Sequence, residues 1–152
     1  MIDLNLLDGK DFLKVKPIEH RSHIWDPVRK KWIRTTPEEI VRQLLIHHLI
    51  SQEQYPKGLI KVEKKLRVNT LSKRCDILVL NKAGNPFLLV ECKAPNISIS
   101  QSVFEQVAIY NLALEVPYLL VTNGRQTFCC SMDYEKRDYR YLNQVPKFGT
   151  YD

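Results

Sequence analysis

The sequence predicts a mixed α/β fold, and three stretches carry that reading. "TTPEEIVRQLLIHHLISQEQYP" begins with helix-start residues and continues as a long apolar-rich helix. "RCDILVLNKAGNPFLLVECKAP" contains two apolar runs of strand length around a turn-rich link. "SISQSVFEQVAIYNLALEV" reads as a second helix and is followed by two more strand-like runs, "PYLLVTNG" and "QTFCCSM". Strands that alternate with helices call for a sheet with helices packed on it.

The elements follow in order. In "IWDPVRKKWI" two short β-prone runs flank Asp26-Pro27, which suits the first corner of a type I turn. Thr36 is placed as an N-cap, with Pro37 at the first helical position and Glu39 three residues after the cap, the pattern of a capping box. That helix should run from about Pro37 to Gln54 and stop before Pro56 and Gly58. Apolar and charged residues alternate over Ile60–Val68, the period of one half-buried strand. "CDILVL" and "FLLVECK", joined by NKAGNP, read as an antiparallel hairpin. The second helix carries Val103, Val107, Tyr110 and Leu114 on one stripe, and "DYEKRDYRYLNQVPKFGTYD" reads as a polar, tyrosine-rich tail.

Composition narrows the function classes. The chain has 152 residues, 44% hydrophobic and 26% charged, which suits one soluble globular domain over 1–152. No apolar run approaches the roughly 20 residues that span a bilayer. The N-terminus lacks a basic start followed by an uninterrupted apolar segment, so no signal peptide is read. Cys75, Cys92, Cys129 and Cys130 show no paired CxxC spacing; three of the four lie inside apolar strand-like runs, where buried thiols are common, and a reducing cytoplasm is the simplest account. The net charge of +6 favours anionic partners, nucleic acid before membrane. A merely solvated basic face is the alternative.

Chemistry is suggested by the middle hairpin. Successive strand residues point to opposite faces, so Glu91 and Lys93 share a face while Val90 and Cys92 take the other. Asp76 begins the neighbouring strand, where the two strands splay and the carboxylates can meet. Two like charges that close raise each other's pKa unless something compensates. A divalent cation does so: Mg²⁺ takes one or two protein carboxylates and keeps its waters. With Lys93 facing the developing charge, the set suits phosphodiester hydrolysis.

Asp76, a hairpin, then Glu91-Cys92-Lys93 resembles the PD-(D/E)xK nuclease superfamily, with Cys75 where that motif's proline stands. PEEIVRQ, RCDILVL, VECKAP, QVAIY and VTNG together resemble the nuclease domain near the N-terminus of type I restriction enzyme R subunits and their small stand-alone relatives. The resemblance covers roughly Trp25 to Met132. It implies a restriction-endonuclease-like core, a central mixed β-sheet flanked by helices. It also implies Mg²⁺ or Mn²⁺ as cofactor, DNA as substrate, and Asp76, Glu91, Lys93 and Gln106 as catalytic residues. Gln106 and Tyr110 match the family's Q-x-x-x-Y helix, and the first helix offers a third acidic ligand. Glu39 already has a capping duty, whereas Glu38 falls on the side of Val41, Leu45 and Leu49. Glu38 is therefore the expected third metal ligand beside Asp76 and Glu91.

Arg29, Lys30, Lys31, Lys73, Arg74 and Tyr110 are the expected nucleic-acid contacts. Trp25 and Trp32 flank the basic turn, to pack on the sheet or to touch nucleic acid. His47 and His48 adjoin on a helix and point in different directions, so they cannot share a metal. No G-x-x-x-x-G-K-[ST] occurs, so a motor, like a specificity subunit, would be a separate polypeptide. A homodimer is a further expected partnership. The competing reading is a non-catalytic nucleic-acid-binding or accessory module of a restriction or defence assembly.

Overall fold

The computed structural model describes residues 1–68, 70–112 and 114–149, with the backbone alone at Val68, Leu71, Tyr110 and Leu112. A 3-10 turn, Leu6–Phe12, is capped by Asn5, whose side chain accepts from the Leu7 amide. Three short strands follow as an antiparallel meander: β1 (Val15–Ile18), β2 (Arg21–Asp26) and β3 (Lys31–Arg34). Trp25 and Trp32 stand opposite each other in this register and meet edge to face, and the Lys16 ammonium lies 4.3 Å from the Trp32 ring. Such pairs hold a sheet too small to bury much on its own.

Helix α1 (Pro37–Ser51) starts where its residues dictate. Thr36 is extended and its hydroxyl accepts from the Glu39 amide at 3.1 Å, with Pro37 supplying no donor to be left over. The helix ends at Ser51, short of Gln54, which turns into the left-handed region at φ 57°.

The predicted Ile60–Val68 strand is two strands. β4 (Ile60–Val62) joins the central sheet, while β5 (Lys65–Val68) pairs with β6 (Leu71–Arg74) as a separate ribbon. The break falls at Glu63, whose φ of 51° interrupts the pleat. Next come β7 (Ile77–Leu80), β8 (Pro86–Cys92), α2 (Gln101–Leu112), β9 (Tyr118–Thr122), β10 (Thr127–Asp133) and β11 (Asp138–Leu142). β11 lies within the predicted tail and forms one edge of the sheet.

The central sheet has the order β11-β10-β9-β8-β7-β4. β8 and β9 run parallel and the other neighbours antiparallel, so the sheet is mixed, as expected. The parallel pair requires a crossover, and α2 supplies it. The sheet is covered on both faces. Ile77, Val79, Leu88 and Val90 cluster with Val41, Leu45 and Leu49 of α1. Leu78, Leu89, Leu119 and Val121 cluster with Phe104, Val107 and Ala108 of α2. This double burial explains why "ILVL" and "FLLV" are continuously apolar instead of alternating. All four cysteines are free and buried. Among the described residues, no helix is long and apolar enough to cross a membrane.

Candidate active site

The β7–β8 hairpin brings the expected residues together at one end of the sheet. Ile77 is registered opposite Val90, so the next step of the antiparallel ladder sets Asp76 across from Glu91. Lys93 follows β8 directly, and its amide is tied to the Thr122 carbonyl at 2.8 Å. Its ammonium turns back to lie 3.3 Å from Glu91 Oε1. Burial pushes the Glu91 carboxyl above the ordinary glutamate range, and the Asp76 charge pushes it the same way. Lys73 and Lys93 offset part of that rise.

Asp76 is held from two sides. Its Oδ2 accepts from the Cys92 amide at 2.7 Å, and its Oδ1 accepts from Arg42 Nη2 at 2.8 Å. With both oxygens engaged, the side chain is held in one orientation. The Cys92 thiol below it is fully buried, which raises its pKa well above the usual thiol value and keeps it inert.

Beside this pair lies an ion-pair cluster that was not anticipated. Glu39 is 3% exposed and receives Arg29, Arg42 and Gln43. Arg29 also reaches Asp26, and its Nη1 lies 3.5 Å from Glu63; Arg42 Nη2 lies 3.4 Å from the same carboxylate. Arg74 stands at the rim, 3.9 Å from Glu63. Burial drives the Asp26 carboxyl up, but the Arg29 side chain and the Arg29 and Val28 amides outweigh it and hold the carboxyl below the ordinary aspartate range. Burial likewise disfavours the Arg42 cation, yet Glu39 and Asp76 more than compensate and its pKa rises. Two guanidiniums shared among four carboxylates make burial of these charges tolerable.

The cluster corrects two expectations. Glu38 is exposed, and the inward acidic residue of the first turn is Glu39. The β2–β3 turn and Glu63 close over the side of α1 that carries Glu39 and Arg42, leaving Glu38 outside. Arg29, expected on nucleic acid, is only 15% exposed and committed to Asp26, Glu39 and Glu63. Lys30, Lys31 and Arg74 remain exposed and Lys73 half-buried. Gln106 is exposed on α2, and no hydrogen bond ties it to Lys93 among the described residues. The expected role of the Tyr110 side chain lies outside the described residues.

The signals for the cluster were present as Asp26-x-x-Arg29 and Glu39-x-x-Arg42, each an i,i+3 pair. What joins the two pairs is tertiary. Among the described residues, no group of three or more His, Cys, Asp or Glu side chains is placed to hold a metal, so the set Glu38, Asp76 and Glu91 does not assemble. Two carboxylates do converge, and that is within what Mg²⁺ asks of a protein.

Residues 37–146 match the family model described as type I restriction enzyme R protein N terminus. Among solved structures, the chain is similar to a candidate nuclease belonging to DUF820 from Anabaena variabilis. The identity is 12% and the TM-score 0.49, over 94% of this chain and 88% of that one. No curated protein matches the chain significantly.

Proposed function

The chain belongs to the family of type I restriction enzyme R protein N termini, and from that premise we propose that it hydrolyses phosphodiester bonds in DNA with Mg²⁺ or Mn²⁺. The observation that carries this reading is the meeting of Asp76, Glu91 and Lys93 at one end of the β7–β8 hairpin. Glu91 is protonated more readily there because it is buried and, secondly, because Asp76 faces it. A cation between the two carboxylates would relieve that repulsion, so the donor set fits the metal with Asp76 and Glu91 as its ligands. When bound, the metal supplies Lewis acidity toward the phosphoryl oxygens.

The chain's own groups do the rest. Arg42 and the Cys92 amide hold Asp76 in one orientation beside Glu91, so no rotamer search precedes binding. Lys93 donates to the attacking water and offsets charge that builds on the phosphoryl oxygens. Glu39 is saturated by Arg29, Arg42 and Gln43, and it acts through Arg42 by fixing the group that fixes Asp76.

One observation favours the second reading, an accessory module that binds nucleic acid without turnover: Arg42 already neutralises Asp76. Cleavage of plasmid and single-stranded DNA with Mg²⁺ or Mn²⁺ decides between them. Wild type should cut, and Lys93→Ala should cut on the order of a hundredfold more slowly. Binding of DNA by a wild type that cuts nothing with either metal would hand the case to the accessory module.

A further inference from the structure

A surface groove of about 500 Å³ runs between the β2–β3 turn and β4, the free edge of the central sheet. Four lysines line it, Lys30, Lys57, Lys61 and Lys64, over a floor that includes Val28 and Val62, and no Asp or Glu is among its lining residues. Lys30, Lys57 and Lys64 are exposed, and Lys61 is half-buried with its ammonium on the Gly58 carbonyl at 3.0 Å. Glu63, the acidic residue between two of these elements, is turned to Arg29 and Arg42 instead. None of the four ammoniums makes an ion pair among the described residues. Lysines on an edge strand often serve only to discourage pairing with another sheet. That explanation reaches Lys61 alone. Lys30 comes from the β2–β3 turn, where φ is 55°, Lys57 from a 3-10 turn, and Lys64 from the link to β5.

We infer that this groove is the seat of the DNA backbone, holding consecutive phosphates of the substrate duplex. The inference rests on the nuclease reading and deepens it. Four positive charges gathered without a counter-charge suit a polyanion whose bound counterions they displace. The groove is also joined to the candidate site. The Lys64 carbonyl accepts from the Cys75 amide at 3.1 Å, and the Glu63 amide donates to the Asp76 carbonyl at 3.1 Å. A strand lying on Lys64 is thus one residue from the backbone that carries Asp76. Lysine suits such a track because phosphate contacts position the duplex without reading its bases.

The test is the anisotropy of a labelled mixed-sequence duplex titrated with protein at several salt concentrations. Lys57→Gln with Lys64→Gln should weaken binding about tenfold and lower the salt slope by about 2, one for each lost phosphate contact. Lys136→Gln with Arg140→Gln removes the same charge from the β10–β11 hairpin, at the opposite edge of the sheet from β4, and should leave both quantities unchanged. Equal losses in the two double variants would show that net charge, and not the groove, holds DNA. Unchanged binding in the Lys57/Lys64 variant, with wild type still cutting, would overturn the groove and leave the nuclease reading standing. A wild type that neither binds nor cuts would overturn both. Melting curves that coincide with wild type exclude misfolding, and each single lysine variant should give about half the change in slope.

Discussion

At the scale of single residues, the sequence makes visible which side chains carry charge, but not which charges are already engaged. Asp76, Glu91 and Lys93 were legible because strand alternation alone puts Glu91 and Lys93 on one face beside Asp76. The sequence favours Glu38 over Glu39 because Glu39 has a capping duty and Glu38 falls on the side of Val41, Leu45 and Leu49, a choice that leaves out neighbours from elsewhere in the chain. The choice is made by Arg29, which arrives from a turn ten residues earlier and meets Glu39. Arg42 carries the greater consequence, with 7% of its side chain exposed and three carboxylates around it. Arg42→Met should destabilise the fold by about 3 kcal/mol, the lower part of the range for removing one partner of a buried pair, since Arg29 remains to serve Glu39. Glu39→Gln should also destabilise, whereas Glu38→Gln should stay within about 0.5 kcal/mol of wild type because Glu38 is exposed. Urea midpoints at constant slope measure all three. A Glu38 variant as damaging as the Glu39 variant would refute the orientation given for α1.

Among elements, those buried on both faces were readable and those at edges were not. β7, β8 and β9 are apolar runs of strand length, and no other assignment suits them. β11, "DYRYL", hid in a polar tail because an edge strand needs only one apolar face. Its Tyr139 and Tyr141 supply that face against Phe104. The break between β4 and β5 was invisible because the alternation continues through Glu63 and only its backbone turns. The β9–β10 turn falls where the strand-like runs "PYLLVTNG" and "QTFCCSM" meet, and its glycine has a reason. Gly124 has φ +89°, its amide donates to Thr122 Oγ1, and an added Cβ would come 2.9 Å from Leu7 Cδ2. Gly124→Ala should therefore cost roughly 1–2 kcal/mol, mostly through the left-handed backbone, since the Leu7 tip can move aside. Gly58→Ala meets nothing within 4 Å and has no positive φ, so it should be close to neutral. Thermal melting of the two variants side by side checks the contrast.

Across the whole molecule, the charges divide into a buried cluster, where two guanidiniums meet four carboxylates, and a basic surface, and because the cluster is itself net negative the +6 arises outside it. Glu91 stands apart from that cluster, buried beside the Asp76 charge with Lys93 3.3 Å away, and so ties global stability to pH and to metal. Burial and the Asp76 charge raise the Glu91 pKa above its ordinary value of 4.5. The folded state consequently holds the Glu91 proton more tightly than the unfolded chain does. Between 4.5 and the raised folded value the native state binds more protons, so this group makes stability fall as pH rises. Asp26 acts in the opposite sense. Its lowered pKa contributes stability that is full above the ordinary 3.8 and is lost only as pH falls through the folded value. The two windows lie on opposite sides of the carboxylate range and can be separated by titration. At neutral pH, Glu91→Gln should thus be at least as stable as wild type without metal, and its stability should be flatter above pH 4.5. Adding Mn²⁺ should raise the melting temperature of wild type, by mass action on the folded state, and more so as pH rises and Glu91 ionises. The same addition should leave Glu91→Gln and Asp76→Asn nearly unmoved. Calorimetry that finds equal Mn²⁺ binding in wild type and Asp76→Asn would remove the metal from this site, whatever the family of the chain.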